Sequence, residues 1–335
     1  MSREVILTRY PDGVPVPDDF AVREADAPRP DALRDGEAHV RVDWLSMDPL
    51  PRVRMAERSP MGPPMRLGAA VEGRGGGRVV ASRAKGVPEG AAVIGEVGWR
   101  ERAVMPADAL TVIDEGLGDV ADHLGVLGAS GLTAWFLCER VAAREGEAAL
   151  VAPAAGSVGM VAGQLLARAG AHVTGIVGGA RQADFVRRLG LAGAVDHRAD
   201  DLDATLADAL PDGWDVFLDG VGGATHDAAL AHLRVHARLV LFGFVSGYGA
   251  GPPAYGAAPP ILLKRARAEG FLLADHADRW AEARARLAGM VRADELRALV
   301  HVTDGLDAAP AAFAGLFGDA EPGKQLVRVS GGNDD

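Results

Sequence analysis

An apolar strand, a tight small-residue turn and an amphipathic helix follow one another without interruption across residues 148–167, and nothing else in the chain constrains its fold as strongly. AALVAPAA (148–155) has the composition of a buried strand, and SVGMVAGQLLARAG, from Ser157, reads as a helix. Between them lies Ala154-Ala155-Gly156-Ser157-Val158-Gly159, a dinucleotide fingerprint with alanine at the first glycine position. A residue without a bulky side chain lets the strand turn, Gly156 lets the backbone approach a pyrophosphate, and Gly159 allows close helix–sheet packing. The helix amino end adds unpaired N–H groups and a partial positive charge. The same residues are also compatible with a βα turn that binds nothing.

The alternation continues downstream. AHVTGIVG (171–178) is a second strand, followed by the helix ARQADFVRRLG. Further strands are expected at Ala194–Asp196, Asp215–Asp219, Arg238–Phe242 and Gly270–Leu273, with a helix over Trp280–Val291. Strand–helix alternation of this kind predicts an α/β, doubly wound parallel sheet with its ligand at the carboxyl ends of the strands. A carboxylate closing the second strand would accept from the ribose 2′-OH of NADH. Here that end reads Val177-Gly178-Gly179-Ala180-Arg181, with no acid before Asp184. The glycines leave room for a 2′-phosphate and Arg181 is placed to pair with it, so NADPH is the expected cofactor.

The first 120 residues have a different character. Short β-like runs at Glu4–Thr8, His39–Leu45, Gly77–Ser82, Ala91–Val97 and Glu101–Pro106 are separated by PDGVPVPDD, GPPMRLG and EGRGGGR, which are turn compositions. They predict a small, partly closed β domain. Near the other end, Leu299–Thr303 and Gln325–Val329 read as strands with a helix between them. At 335 residues the chain has room for two domains. A net charge of −11 without clustered basic residues argues against nucleic acids and anionic membranes as partners. One cysteine, Cys138, excludes an intrachain disulfide and a Cys-rich zinc site. No apolar leader follows Met1, and the uncharged stretch Ala148–Ala167 contains Pro153 and Gln164, so a cytoplasmic protein is expected.

Several motifs together carry a family resemblance. Leu124 to Trp135 (LGVLGASGLTAW), AAGSVG, DVFLDGVGG (215–223), LFGFVSGY (241–248) and RARAEGF (265–271) resemble the medium-chain dehydrogenase/reductase superfamily. LSMDPLPR (45–52) with Met55, and Gly323-Lys324 before a strand, are similar to its zinc-independent NADPH-dependent branch, which contains prostaglandin reductases, leukotriene hydroxydehydrogenase and alkenal double-bond reductases. The resemblance implies a GroES-like catalytic domain from both chain ends (1–121 and 292–335) and a Rossmann domain (122–291). It also implies a homodimer and hydride delivery to the β-carbon of an activated alkene.

Carried over by position, Ala155, Gly156, Ser157, Val158 and Gly159 would hold the pyrophosphate. Gly179, Arg181, Gln182 and His197 would surround the adenosine phosphate, with Gly220 beyond them. Phe242, Gly243, Phe244, Val245, Ser246 and Tyr248 would pass along the nicotinamide ribose, and Phe271, Leu272 and Leu273 would flank the nicotinamide. There are departures. The branch's 2′-phosphate lysine falls on Gln182, leaving Arg181 as replacement, and its tyrosine near the adenosine phosphate falls on His197. Its asparagines fall on Gly220 and on Glu321 or Pro322, and two tyrosines fall on Leu50 and Leu263.

No catalytic zinc is expected, because the first hundred residues offer no cysteine or His-Glu pair; His39 precedes Val40. A zinc-free alkene reduction needs orientation, exclusion of water and a donor for the developing enolate oxygen. Of three tyrosines, Tyr248 follows a strand at the ligand edge, as a polar group near the nicotinamide or as packing against the cofactor ribose, and Tyr255 lies in GYGAGPPAYGAAPP, as part of a lid or as an exposed loop residue. Arg52 is the candidate for a substrate anion, with a structural salt bridge as its other reading. His123, His226, His232 and His236 are expected on solvated helix faces. A second class stays open: an NADP(H)-binding protein without redox turnover, or a specialised biosynthetic step in the same pocket.

Overall fold

The computed structural model describes residues 1–248, 258–318 and 320–329. The chain begins with an antiparallel pair, β1 (Ser2–Leu7) and β2 (Phe20–Ala25). It continues through β3 (Glu37–Ser46), β4 (Gly75–Ser82), β5 (Ala92–Gly95), β6 (Arg102–Pro106), β7 (Leu110–Val112) and the short α1 (Val120–Leu124). A second series then alternates strictly. It runs α2 (Ala129–Val141), β8 (Ala148–Ala152), α3 (Gly159–Arg168), β9 (His172–Val177), α4 (Ala180–Arg188), β10 (Gly193–Asp196) and α5 (Leu202–Ala209). It closes with β11 (Trp214–Asp219), α6 (Gly223–Leu230), β12 (Leu233–Leu241), α7 (Ala258–Lys264), β13 (Arg267–Gly270) and α8 (Trp280–Arg292). Last come β14 (Val300–Asp304), α9 (Ala309–Gly315) and β15 (Lys324–Arg328).

Two compact units result. One comprises Met1–Gly125, Val300–Ala320 and the chain from Lys324; the other comprises Val126–Leu299 with Glu321–Gly323. The seams lie a few residues beyond 121 and 291 for identifiable reasons. Helix α1 packs on β3, β4 and β5. Residues before Val300 stay with the second unit because Gln164 both donates to Arg297 O and accepts from Arg297 N, at 2.8 and 2.9 Å.

The first unit is built on a mixed seven-stranded sheet in the order β14-β15-β3-β4-β5-β7, with β6 paired to β3. Its core joins Phe20, Trp99 and Phe313, whose rings meet at centroid separations of 5.3–6.1 Å. This is the GroES-like β architecture, completed by the late strands β14 and β15. In the second unit all six strands are parallel in the order β10-β9-β8-β11-β12-β13. That is the Rossmann order, which reverses between β8 and β11 and opens a ligand crevice at their carboxyl ends. The central strand β8, AALVA, is buried at every position, as a parallel strand covered on both faces must be.

Some expected elements differ. β2 and β7 are not among the expected strands; each is short and follows directly on a proline-containing turn. β13 occupies Arg267–Gly270 and ends where the strand was expected to begin; Leu273–Arg279 is a 3-10 segment. No helix among the described residues is long and apolar enough to cross a membrane.

Candidate cofactor site

The carboxyl end of β8 turns at residues 153–158. Ala154 N donates to Ile176 O, which holds the turn against β9. Gly159 sits where α3 starts, and a Cβ there would lie 2.0 Å from Pro153 O, so only glycine permits this approach of helix to strand. Gly156 is the opposite case. Its Cβ would meet nothing nearer than Pro153 at 3.6 Å, so the glycine keeps open a surface that the site can use. Ser157 Oγ accepts from Ser130 Oγ at 3.0 Å, and Val158 occupies the N-cap position of α3. A late segment completes the turn: Gly323 N donates to Ala155 O at 2.8 Å, and Gly323 forms an isolated bridge with Gly156.

At the end of β9, Gly178 and Gly179 form a floor. Gln182 is spent on local structure, its Oε1 accepting from Gly178 N at 2.9 Å. Arg181 Nη1 donates to the carboxylate of Glu321. The group standing over the floor is Arg198. A Cβ on Gly178 would lie 2.9 Å from Arg198 Nη2 and 3.4 Å from His197 Nε2, and one on Gly179 would lie 3.3 Å from Arg198 Nη2. The residue is absent from the sequence-based candidates; its one signal is a second basic side chain next to His197, just after β10.

Across the crevice, Gly220 N donates to Ala152 O at 2.7 Å, tying the end of β11 to β8. A Cβ on Gly220 would lie 2.6 Å from the ring of Phe242, so glycine in place of the branch's asparagine is matched by an aromatic ring packed onto it. Val245 N donates to Gly220 O, and Ser246 N and Oγ both donate to Val221 O. These bonds fasten Phe242, Gly243, Phe244, Val245 and Ser246 along the carboxyl ends of β11 and β12. Tyr248 is half-buried, its ring edge-on to Phe244 at 4.9 Å. Burial raises the pKa of its hydroxyl, partly offset by a hydrogen bond with the Phe244 backbone. Phe271, anchored by its N–H to Leu241 O, stacks on His276, which stacks in turn on Phe136. Leu272 and Leu263 are exposed, whereas Leu273 is half-buried.

Other candidates are placed differently. Arg52, in the first unit, is buried, and its guanidinium donates to the carbonyls of Pro11, Gly13 and Met55 at 2.7–3.1 Å. It braces two loops, and among the described residues carbonyl oxygens stand where the salt bridge was anticipated. Leu50 is exposed in the same unit. Tyr255, with the rest of residues 249–257, falls outside the described residues. His226 is buried on α6, and its Nδ1 donates to Asp219 Oδ2 at 2.7 Å; Asp219 also accepts from Val221 N and Gly222 N. His123 is buried with Nε2 3.3 Å from Asp114 O. His232 lies in a turn beside Asp203, and His236 is exposed on β12. Two of the four histidines thus lie in the interior, not on solvated faces. Cys138 is half-buried, and desolvation raises the pKa of its thiol. No group of three or more His, Cys, Asp or Glu side chains able to hold a metal ion occurs among the described residues.

The residues fit a phosphorylated dinucleotide: an open glycine beside a helix start for the pyrophosphate, and a glycine floor under a guanidinium for a 2′-phosphate. Comparisons with known proteins agree. Residues 3–113 match the model described as the N-terminal domain of oxidoreductase, and residues 157–289 that of zinc-binding dehydrogenase. The chain is 34% identical to NADPH-dependent curcumin reductase of Escherichia coli, over 98% of this chain and 97% of that one. It is 29% identical to prostaglandin reductase 1 of Mus musculus, over 96% and 98% of the two chains. Among solved structures, CurA of Vibrio vulnificus in complex with NADPH superposes with a TM-score of 0.90 at 29% identity, covering 98% of this chain and 99% of that one. The fold, the glycine-lined crevice and these chain-long similarities establish that the protein belongs to the zinc-independent, NADPH-dependent branch of the medium-chain dehydrogenase/reductase superfamily.

Proposed function

We propose that this protein is an NADPH-dependent reductase that adds hydride to the β-carbon of an α,β-unsaturated carbonyl compound, such as an enone, enal or quinone. The observation that carries the reading is the carboxyl edge of the parallel sheet. There the Gly178–Gly179 floor after β9, the fingerprint turn after β8, Gly220 after β11 and the Phe242–Tyr248 segment after β12 occupy successive strand ends. The names of relatives that reduce curcumin, prostaglandins and alkenals support a conjugated double bond as the target.

Bound at this crevice, NADPH would supply the hydride, its oxidation to NADP⁺ balancing the reduction of the alkene. The new C–H bond forms at the β-carbon, the alkene electron pair moves toward the carbonyl, and a proton from solvent completes the α-carbon. The protein's task is to orient the alkene, exclude water and stabilise the developing enolate oxygen. Tyr248 is the side chain assigned to that oxygen. Burial keeps its hydroxyl protonated through neutral pH, as a hydrogen-bond donor must be. Gly156, Ser157 and the α3 amino end hold the pyrophosphate in this reading, and Phe271 and Leu273 border the nicotinamide. Homodimer formation, implied by the family resemblance, belongs to the same proposal; exposed Leu262, Leu263 and Leu272 flank the edge strand β13.

The test is a panel of enones, enals and quinones with NADPH deuterated at its reactive carbon. Deuterium at the product β-carbon supports the assignment, and Tyr248→Phe is expected to slow transfer by about 10- to 100-fold. Saturable NADPH binding with no transfer to any member of the panel would replace it with a cofactor-binding role lacking turnover.

A further inference from the structure

The turn Gly220-Val221-Gly222-Gly223 leads from β11 into α6, and glycine makes its backbone permissive. Gly222 and Gly223 lie at φ of +70° and +59°, in the left-handed region. One interior carboxylate holds this turn from beneath. Asp219, the last residue of β11, is fully buried and engages both of its oxygens. Its Oδ1 accepts from Val221 N at 2.8 Å and from Gly222 N at 3.0 Å, and its Oδ2 accepts from His226 Nδ1 at 2.7 Å. His226 is also buried, one turn into α6. The imidazole therefore fixes the rotation of the carboxylate, and the carboxylate fixes two consecutive amides.

Those two amides have a second side. In a trans peptide the N–H and the C=O point in opposite directions, so turning Val221 N and Gly222 N inward turns Gly220 O and Val221 O outward. These are the oxygens that receive the segment after β12: Val245 N donates to Gly220 O, and Ser246 N and Oγ donate to Val221 O at 3.1 and 2.6 Å. Tyr248 N donates in turn to Val245 O at 3.2 Å. We infer that Asp219 and His226 are a positioning pair for the reduction, acting through these two peptide planes to set where Tyr248 presents its hydroxyl. The inference rests on the role proposed above for Tyr248.

The experiment follows single-turnover deuterium transfer to an enone at saturating NADPH deuterated at its reactive carbon, with denaturant stability measured alongside. His226→Leu removes the donor to Asp219 and is expected to slow transfer by about 10-fold. His226→Asn, whose amide can donate from the same position along the side chain, should recover most of that loss. In a Tyr248→Phe background His226→Leu should cost less than about 2-fold more, because the hydroxyl it positions is gone; a purely structural role would give the same loss in both backgrounds. Ser246→Ala removes the Oγ bond from the exposed side and should show the same coupling with a loss of about 3-fold. If His226→Leu does not fold, the Ser246 and Tyr248 cycle decides alone. Additive losses, or His226→Asn no faster than His226→Leu, would overturn the inference. A wild type that transfers no deuterium would instead overturn the reductase reading, and Tyr248→Phe at the wild-type rate would overturn the assignment of Tyr248 on which the pair depends.

Discussion

Arg52 and Lys324 in the first unit and Arg181 and Arg198 in the second are all cations beside loops, yet they are used in opposite ways. Arg52 ends on three backbone carbonyl partners, and Lys324 on Met47 O and Asp48 Oδ1, so oxygens of that unit meet both charges. Along the carboxyl edge of the parallel sheet both arginines are exposed, Arg181 bonded to the Glu321 carboxylate and Arg198 lying against Gly178 and Gly179. A buried cation is committed to the loops around it, whereas an exposed one keeps part of its guanidinium in solvent. The type of residue is the same; the location of its acceptors decides what it does.

The comparison is most severely tested at Gly159. Gly159→Ala is expected to destabilise the second unit by about 3 kcal/mol and to abolish NADPH binding, since the added carbon meets backbone atoms that cannot yield. Denaturant unfolding with calorimetry checks both; an alanine variant that binds normally would show that the turn is looser than its geometry. Next is Lys324→Met. It leaves Asp48 without its ion-pair partner and should cost about 2–3 kcal/mol, below the range for fully buried pairs because a third of Asp48 remains exposed. Lys324→Met with Asp48→Asn should recover most of it. A single variant as stable as wild type would remove the first unit from the comparison.

Gly220→Asn restores the family's residue, but its side chain meets Phe242, so a loss of about 1–2 kcal/mol and weaker cofactor binding are expected. Adding Phe242→Ala should relieve the clash; no improvement would show that the ring is not the obstacle. The smallest effect is at His39, buried on β3 with neither ring nitrogen hydrogen-bonded. Burial, and secondarily Arg102, lowers its pKa, so the unfolded chain takes up the proton first. Its neutral form supports folding above the ordinary histidine pKa, and that support is lost as pH falls from about 6.5 toward the lower folded value. His39→Phe should flatten the acid side of the stability curve, by at most ~1.4 kcal/mol per pH unit. An unchanged slope would place the acid sensitivity elsewhere.

Features with local causes were readable in advance. The β8 turn was legible because a strand, two glycines and a helix state their requirements within a dozen residues, and alternation announced the parallel sheet. What escaped depended on partners distant in sequence. Arg52 was read as a substrate or salt-bridge residue because its main acceptors, Pro11 and Gly13, lie far upstream. His226 looked solvated on a polar helix until α6 brought it against Asp219. Arg198 follows β10, whose sequence carries no phosphate signal, and gains its position only when β10 pairs alongside β9. The glycine at 220 looked like a lost function, and the ring of Phe242 explains it as packing.

The bond from Gly323 to Ala155 sets an order in time. A ribosome delivers the fingerprint strand long before Gly323, the residue that completes its turn. The nascent Rossmann half must therefore hold its shape through its own apolar core, with no nucleotide clasped by a finished turn to steady it.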